Sequence, residues 1–374
     1  MADDSADDAL PPGASALTAR TRRARRRLRV AALTTAAALT LTAAAGVALY
    51  VKFDGNIAGL DIDSALGGDR PEDAPHGSLD ILVLGSDSRA GGNGVYGSED
   101  GARADTAMIV HINEEHDAAT VVSIPRDTLV TRPACDRADG TTAPEAPRTM
   151  YNEAYEIGGP ACAVKTTESL TGIRMDHYIE IDFKGFEKII DTLGGVEITT
   201  REDLRDPDSR LDLAAGTHTL DGAQALALVR TRHAIGDGSD LGRIRLQHTF
   251  VRALAEQVGS IGLFGNPKKL YDLADAATSS LTTDSALASV SELTGLARTL
   301  KNIGPDQLDM ITLPIAHDEH DPNRVVPLSP QGERLWEALR RDEPVPEAAR
   351  EGSAAADRQQ PGAEVTPGTP EGGE

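Results

Sequence analysis

The chain has 374 residues and is strongly acidic: 37 Lys and Arg against 59 Asp and Glu give a formal net charge of −22. That balance excludes bulk nucleic-acid binding, whose affinity comes largely from basic residues neutralising phosphates. Any basic residues that matter must be focused in a site.

The N-terminus runs against the overall charge. Seven arginines lie between Arg20 and Arg29, and the next 22 residues, Val30 to Val51, carry no charge. At about 1.5 Å per residue this stretch spans roughly 33 Å, enough for a bilayer core of about 30 Å. The arginines predict that residues 1–29 stay in the cytoplasm, that 30–51 cross once and that the body lies outside. Ala43 to Ala45 would suit a signal-peptide cleavage site, but the apolar run exceeds the usual 7 to 15 residues or so, which favours an uncleaved anchor. Leaving out the four aspartates before position 9, the seven arginines and Lys52, the remainder holds 55 acidic and 29 basic residues, a net of −26.

After a linker over 52–76, three apolar runs have the length and β-branched character of buried strands: Ile81 to Leu84, Met108 to Ile112 and Val121 to Ile124. Each adjoins acids and arginines: GSDSR with Asp87 and Arg89, ARADT with Arg103 and Asp105, and SIPRDT with Arg126 and Asp127. Polar residues therefore collect at one sheet edge, where ligands of open α/β folds bind. Carboxylates mixed with arginines suit a metal-bridged phosphate better than either type alone. Taken singly, Asp87 could cap a helix, Asp105 could be a turn acid, and Asp127 could be a proton acceptor, a helix cap or a salt-bridge partner. Ala90 to Gly97 lacks the GK[ST] ending of a P-loop and reads as a loop at the site's edge. Ser86 and Ser88 have no histidine base at a telling position, which argues against a serine nucleophile.

Cys135 lies near the start of a Pro/Gly-rich insertion, Pro133 to Pro147, and Cys162 beyond its end. A disulfide between them would close a loop of about 27 residues, worth roughly 3 to 4 kcal/mol in the chain-entropy model; the competing reading is two separately buried thiols. Further on, FKGFEKIIDTLGG places Phe183, Phe186, Ile190 and Leu193 on one helical stripe that stops at Gly194-Gly195. ALALVRTRH, Ala225 to His233, reads as strand-like, so Arg230 and Arg232 alternate onto a shared face. Arg243 and Gln247, spaced i, i+4, share one side of a helix. Leu308 to Leu313 reads as a late strand, and His317 and His320 as surface-loop residues. Beyond about Arg341 the chain turns rich in Pro, Glu, Gly and Ala, which predicts a disordered tail over 341–374.

The blocks quoted above, together with Asn152, Tyr155, Gly158 and Gly159, LTGI (Leu170 to Ile173), YIEIDFKGF (Tyr178 to Phe186), DTLGGVEI (Asp191 to Ile198) and DLGRIRLQ (Asp240 to Gln247), resemble in wording and order the LytR-CpsA-Psr family. The resemblance covers about residues 77 to 255. Members of that family attach polyprenyl-pyrophosphate-linked glycopolymers to bacterial cell wall. The resemblance implies that Asp87 and Asp105 hold a divalent cation, Mg²⁺ or Mn²⁺, and that Arg230, Arg232, Arg243 and Gln247 contact pyrophosphate. Arg103 joins that group, and Asp87, Arg89 and Arg126 form the expected catalytic set. Leu246 stands where the family often has an arginine, so one basic contact is lost or moved, and Arg245 is left out of the set. The prenyl chain is implied to lie between a sheet and its covering helices, along part of the Phe183 stripe.

Strands interleaved with helices predict a three-layer α/β/α sandwich with a mixed central sheet, spanning 77–340 and carried on a single N-terminal transmembrane helix. The expected activity is a phosphotransferase that moves a glycopolymer from its polyprenyl-pyrophosphate carrier to a peptidoglycan sugar hydroxyl. A pyrophosphatase, with water in place of the sugar, uses the same residues. A membrane-anchored regulator is the reading from a different class, against which the absence of a basic recognition surface argues.

Overall fold

The computed structural model describes residues 14–73, 77–86, 104–232, 240–260, 266–351 and 365–368, with the side chains of 14–27 left out. The chain divides into two units, 1–52 and 53–374. The first is dominated by helix α1, Ala14–Asp54, in which Leu28–Asp54 is long and apolar enough to cross a membrane. Leu33, Leu39, Leu41 and Val47 are all exposed on it, as befits a helix apolar all round.

In the second unit, short β1 (Ala58–Leu60) is followed by β2 (Leu79–Ser86), β3 (Ala104–Ile112) and β4 (Ala119–Ser123). Helix α2 (Glu153–Thr171) leads to β5 (His177–Asp182), α3 (Phe183–Leu193) and the antiparallel pair β6 (Val196–Thr200) and β7 (Gly216–Leu220). Then come α4 (Gly222–Arg230), α5 (Asp240–Ser260), α6 (Pro267–Ser280), β8 (Leu281–Asp284), α7 (Val290–Leu300), β9 (Leu308–Thr312), α8 (Gln331–Arg340) and β10 (Val365–Pro367). The central sheet runs β1-β8-β5-β2-β3-β4-β9 and is mixed: β2 is parallel to β5 and antiparallel to β3, and β4 is antiparallel to β3 and parallel to β9.

Alternation along the strands sorts the core into two faces. Leu82, Leu84, Ile109 and Val122 pack with Tyr155 and Val164 of α2 and Trp336 and Leu339 of α8. On the opposite face, Ile81, Ile112 and Val110 meet Leu296 of α7, and Met108 and Val121 meet Val251 of α5. Helices on both sides of one mixed sheet make the three-layer α/β/α sandwich expected from the sequence. A separate cluster joins α3, α4, α5, β6 and β7 beside it.

The senses of the strands decide where the site can be. Because β3 runs against β2 and β4, the C-terminal ends of β2, β4 and β5 and the N-terminal end of β3 all reach the same edge: Ser86 pairs with Ala104 on one side and Asp182 on the other.

Both predicted limits of the domain are too narrow. Residues 52–76 are not a free linker. β1 pairs with β8, Ile62 and Leu66 are buried, and Arg70 forks onto Glu168 at 2.6 Å and donates to the Met175 carbonyl at 2.7 Å. Nor are the described residues of the predicted tail, 341–351 and 365–368, disordered. Asp342 ties back to His111, Val345 and Ala349 are buried, Arg350 pairs with Asp309, and β10 adds to β6. A few apolar residues and arginines anchor both segments, and window composition averages them away. Cys135 and Cys162 form the predicted disulfide. It lies against a kink in α2, where a Cβ on Gly158 would come within 2.8 Å of Asp136 O and Cys162 Cβ, so only glycine admits so close an approach.

Candidate active site

The edge defined by the strand ends opens into a cavity of about 390 Å³, within the range of small-molecule sites. Its interior is apolar, built from Val83, Met108, Phe183, Phe186, Val229 and Phe250. Its polar lining includes Asp105, Arg126, Arg230, Arg232, Arg243 and Gln247. The described members of the predicted catalytic, pyrophosphate and metal set therefore line a single cavity, whereas Asp127, the candidate proton acceptor, lies outside its lining. Asp87, Arg89 and Arg103 lie outside the described residues, as does the Gly-rich stretch; Ser86 and Ala104, the described residues on either side, pair with each other at this edge. Arg245 does not line the cavity, and neighbouring Leu246 belongs to the core instead.

The Phe183 stripe divides in two. Asp182 caps α3, its Oδ1 accepting from Gly185 N at 2.6 Å, and Gly194 at φ 93° ends it. Phe183 and Phe186 face the cavity, whereas Ile190 and Leu193 are fully buried in the core.

The strand expected at ALALVRTRH is a helix. Asp221 and Gln224 form a capping box at the start of α4, and Ala and Leu are strong helix formers. Arg230 ends α4 and Thr231 is its extended C-cap, so alternation along a strand does not bring Arg230 and Arg232 together. A turn held by Asp206 does: the buried Asp206 carboxylate accepts from the Thr231 hydroxyl and from Arg232 N at 2.9 Å. Asp206 was not legible as a site residue, because its partners are 25 and 26 residues away.

Electrostatics at the mouth are dominated by crowded guanidiniums. Arg126 stands 3.5 Å from Asp105 Oδ1, 3.4 Å from Asp127 Oδ2 and 3.9 Å from Asp240 Oδ1. Arg243, only 4% exposed, contacts Asp240 Oδ1 at 2.6 Å and donates to the Asp105 carbonyl at 3.1 Å. Burial pushes the pKa of Arg243 down, and Asp240 works against it; Arg232 is lowered by burial first and then by Arg126. Arginine stays protonated even so, which leaves positive charge concentrated at a partly dry mouth. Among the described residues Arg126 Nε and Arg243 Nε are buried without hydrogen-bond partners, donors that an anion would satisfy. Arg230 lies over the Phe183 ring at 4.5 Å, joining the polar and apolar parts of the cavity.

Gln247 lines the cavity and is also tied to its neighbours. Its Nε2 donates to Thr106 Oγ1 at 3.1 Å and to the Val229 carbonyl at 3.0 Å, so those donors are spent on joining α5 to β3 and α4. Asp240, spaced i, i+3 from Arg243 within the quoted DLGR, could have been found by that spacing. Behind the edge, the Tyr155 hydroxyl donates to Glu180 Oε1 at 2.7 Å and also bonds Ser86, the residue before Asp87. Burial, then Glu180, push the Tyr155 pKa up, which keeps it a donor that fixes the strand end.

Among the described residues, no group of three or more His, Cys, Asp or Glu is placed to hold a metal alone. Mg²⁺ does not require one, since it takes one or two carboxylates and completes its shell with water and phosphate. Asp105, a hard oxygen donor at the mouth that stands 3.5 Å from Arg126, fits that requirement.

Fold and cavity together define a site for an amphiphile, with an apolar pocket for its tail and arginines for an anionic head. The chain belongs to the LytR_cpsA_psr family, whose model matches residues 49–341. It is 32% identical over 272 residues to the cell wall biosynthesis protein LcpA of Corynebacterium glutamicum, covering 65% of this chain and 51% of that protein. To the polyisoprenyl-teichoic acid–peptidoglycan teichoic acid transferase TagT of Bacillus subtilis it is 34% identical over 190 residues, 49% of this chain and 54% of that one. The chain thus spans about half the length of the curated relatives it matches. Among solved structures it is similar to the LytR-Csp2A-Psr enzyme from Actinomyces oris, with a TM-score of 0.57 and 26% identity over 75% of this chain and 95% of that one.

Proposed function

We propose that this protein is a phosphotransferase that moves a glycopolymer from a polyprenyl-pyrophosphate carrier to a peptidoglycan sugar hydroxyl. The observation that carries the reading is the union, in one cavity, of an apolar interior with the guanidiniums of Arg126, Arg230, Arg232 and Arg243. A prenyl tail suits the former, and a pyrophosphate, which guanidinium forks bind bidentately, suits the latter. The names of TagT and LcpA agree with it.

In this reading the sugar oxygen bonds to the phosphorus bearing the glycopolymer, the bond from that phosphorus to the bridging oxygen breaks, and polyprenyl phosphate departs. The hydroxyl gives up its proton, for which Asp127 is the candidate acceptor. The arginines hold the phosphoryl oxygens in place and stabilise charge that spreads over them in the transition state. Arg89 and Arg103 are assigned to the same task. Asp105 and Asp87 would hold Mg²⁺ or Mn²⁺, which supplies further positive charge against the phosphoryl oxygens. Gln247 acts by fixing α5. The protein is assigned to the cell membrane through Leu28–Asp54, with the catalytic domain outside, where arginines before the apolar span direct it.

Incubation of the full-length protein with lipid-linked polymer and an acceptor glycan tests the activity. Polymer covalently attached to glycan is expected; polymer released into solution with none on the glycan would make the protein a pyrophosphatase instead. Protease added to intact wall-stripped cells should digest the region holding Asp105 and Arg230, and its protection until the membrane is opened would overturn the placement.

A further inference from the structure

Arg126 borders two concavities. Besides the apolar cavity it lines a second cleft of about 480 Å³, together with Asp127, Asn152, Glu153 and Arg324 among others. Its walls are tied directly to the first site. Asn152 N donates to the Arg126 carbonyl at 3.2 Å, Tyr151 N to the Thr128 carbonyl at 2.9 Å, and Val325 bridges to Thr128 from a third segment. Asp127 sits between two guanidiniums, 3.4 Å from Arg126 and 3.7 Å from Arg324.

One group in this wall lacks its complement. Asn152 is 8% exposed, and its Oδ1 is buried with no hydrogen-bond partner among the described residues. Asparagine at the start of a helix usually caps it, yet Asn152 makes no side-chain cap on α2. An unsatisfied buried acceptor is costly, and its position beside the cleft gives it a use if a ligand donates to it. The cleft's charges also differ from those of the first site. Among the described residues two arginines face three carboxylates, Asp127, Glu153 and Glu156, so these supply no excess positive charge to hold a second phosphate. Closely spaced donors and acceptors with small apolar patches, here Ile157 and Met150, match the hydroxyl, acetamido and C–H faces of an amino-sugar chain.

We propose that this cleft is the acceptor subsite. It holds a strand of alternating N-acetylated amino sugars, with a sugar hydroxyl presented past Arg126 to the donor phosphorus. The assignment rests on the transferase reading above and places its second substrate.

The probe is a soluble, uncross-linked N-acetylglucosamine–N-acetylmuramic acid oligosaccharide, titrated against the full-length protein in detergent, with polyprenyl pyrophosphate binding measured in parallel. Asn152→Ala and Glu153→Lys should each weaken glycan binding by about tenfold while leaving affinity for the prenyl pyrophosphate unchanged. Glu153 is half-buried in the first turn of α2, so Glu153→Lys carries the test if Asn152→Ala fails to fold. Glycan that binds in a manner dependent on both residues, with donor only hydrolysed, would leave the subsite standing and remove the transferase reading. No glycan binding by the unaltered protein, or unchanged binding in the folded variants, would overturn the subsite whatever the outcome of transfer.

Discussion

Arg230→Lys separates charge from shape at the cavity mouth. Lysine preserves the positive charge but loses the planar fork that grips two phosphate oxygens. It also loses the guanidinium's stacking on Phe183, now 4.5 Å from the ring centroid. A hydrogen bond to a charged group is worth roughly 1.5 to 3 kcal/mol, and each 1.36 kcal/mol or so is a factor of ten in rate. Loss of one arm of the fork should therefore lower kcat/KM for transfer by about tenfold to 150-fold. The assay is transfer of labelled lipid-linked polymer to glycan at subsaturating donor, with thermal melting to show that the domain is intact. Because Arg230 ends α4, where lysine is equally acceptable to the helix dipole, melting should scarcely change. A folded Arg230→Lys variant with near-normal kcat/KM would refute the bidentate role and leave Arg230 as general positive charge. The same substitution at Arg232 is expected to act in the same range.

Asp105→Asn should abolish transfer and weaken Mg²⁺ binding measured by calorimetry, since the amide offers no charge to the cation; unchanged Mg²⁺ affinity would remove Asp105 from the metal site. Reduction of Cys135–Cys162, which closes a separation of 27 residues, should cost about 3 to 4 kcal/mol, read as a lower denaturation midpoint in reductant. A midpoint insensitive to reductant would show that the bridge contributes nothing. His111 lies between Asp80 Oδ1 at 2.9 Å and Asp342 Oδ1 at 3.0 Å. Burial works to lower its pKa, but the bonds to Asp80 and then Asp342 outweigh it and hold it above the ordinary 6.5. With the folded pKa raised, this contribution is fully present below the unfolded value and fades as pH climbs through the folded one. Melting scans should therefore show His111→Gln losing most stability at mildly acid pH and least at alkaline pH; a gap independent of pH would contradict the charged pairing.

What the sequence by itself determined was local or repeated in register. The β-branched runs named the strands at Ile81, Met108 and Val121, and their flanking acids and arginines named the edge. The spacing Phe183–Phe186–Ile190–Leu193 named a helix and Gly194 its end. Arg243 and Gln247 were placed on one helix by their separation alone. What only the tertiary structure decided depends on partners far apart in the chain. Arg230 and Arg232 converge through Asp206 rather than along a strand, and Gln247 is occupied by Val229 and Thr106. Arg70 and Asp342 draw flanking segments into the domain through Glu168 and His111. The division of the Phe183 stripe into cavity and core, and the meeting of two clefts at Arg126, follow from packing. Periodicity reports which face of an element is apolar; which apolar residues remain uncovered is set by the elements that pack against it.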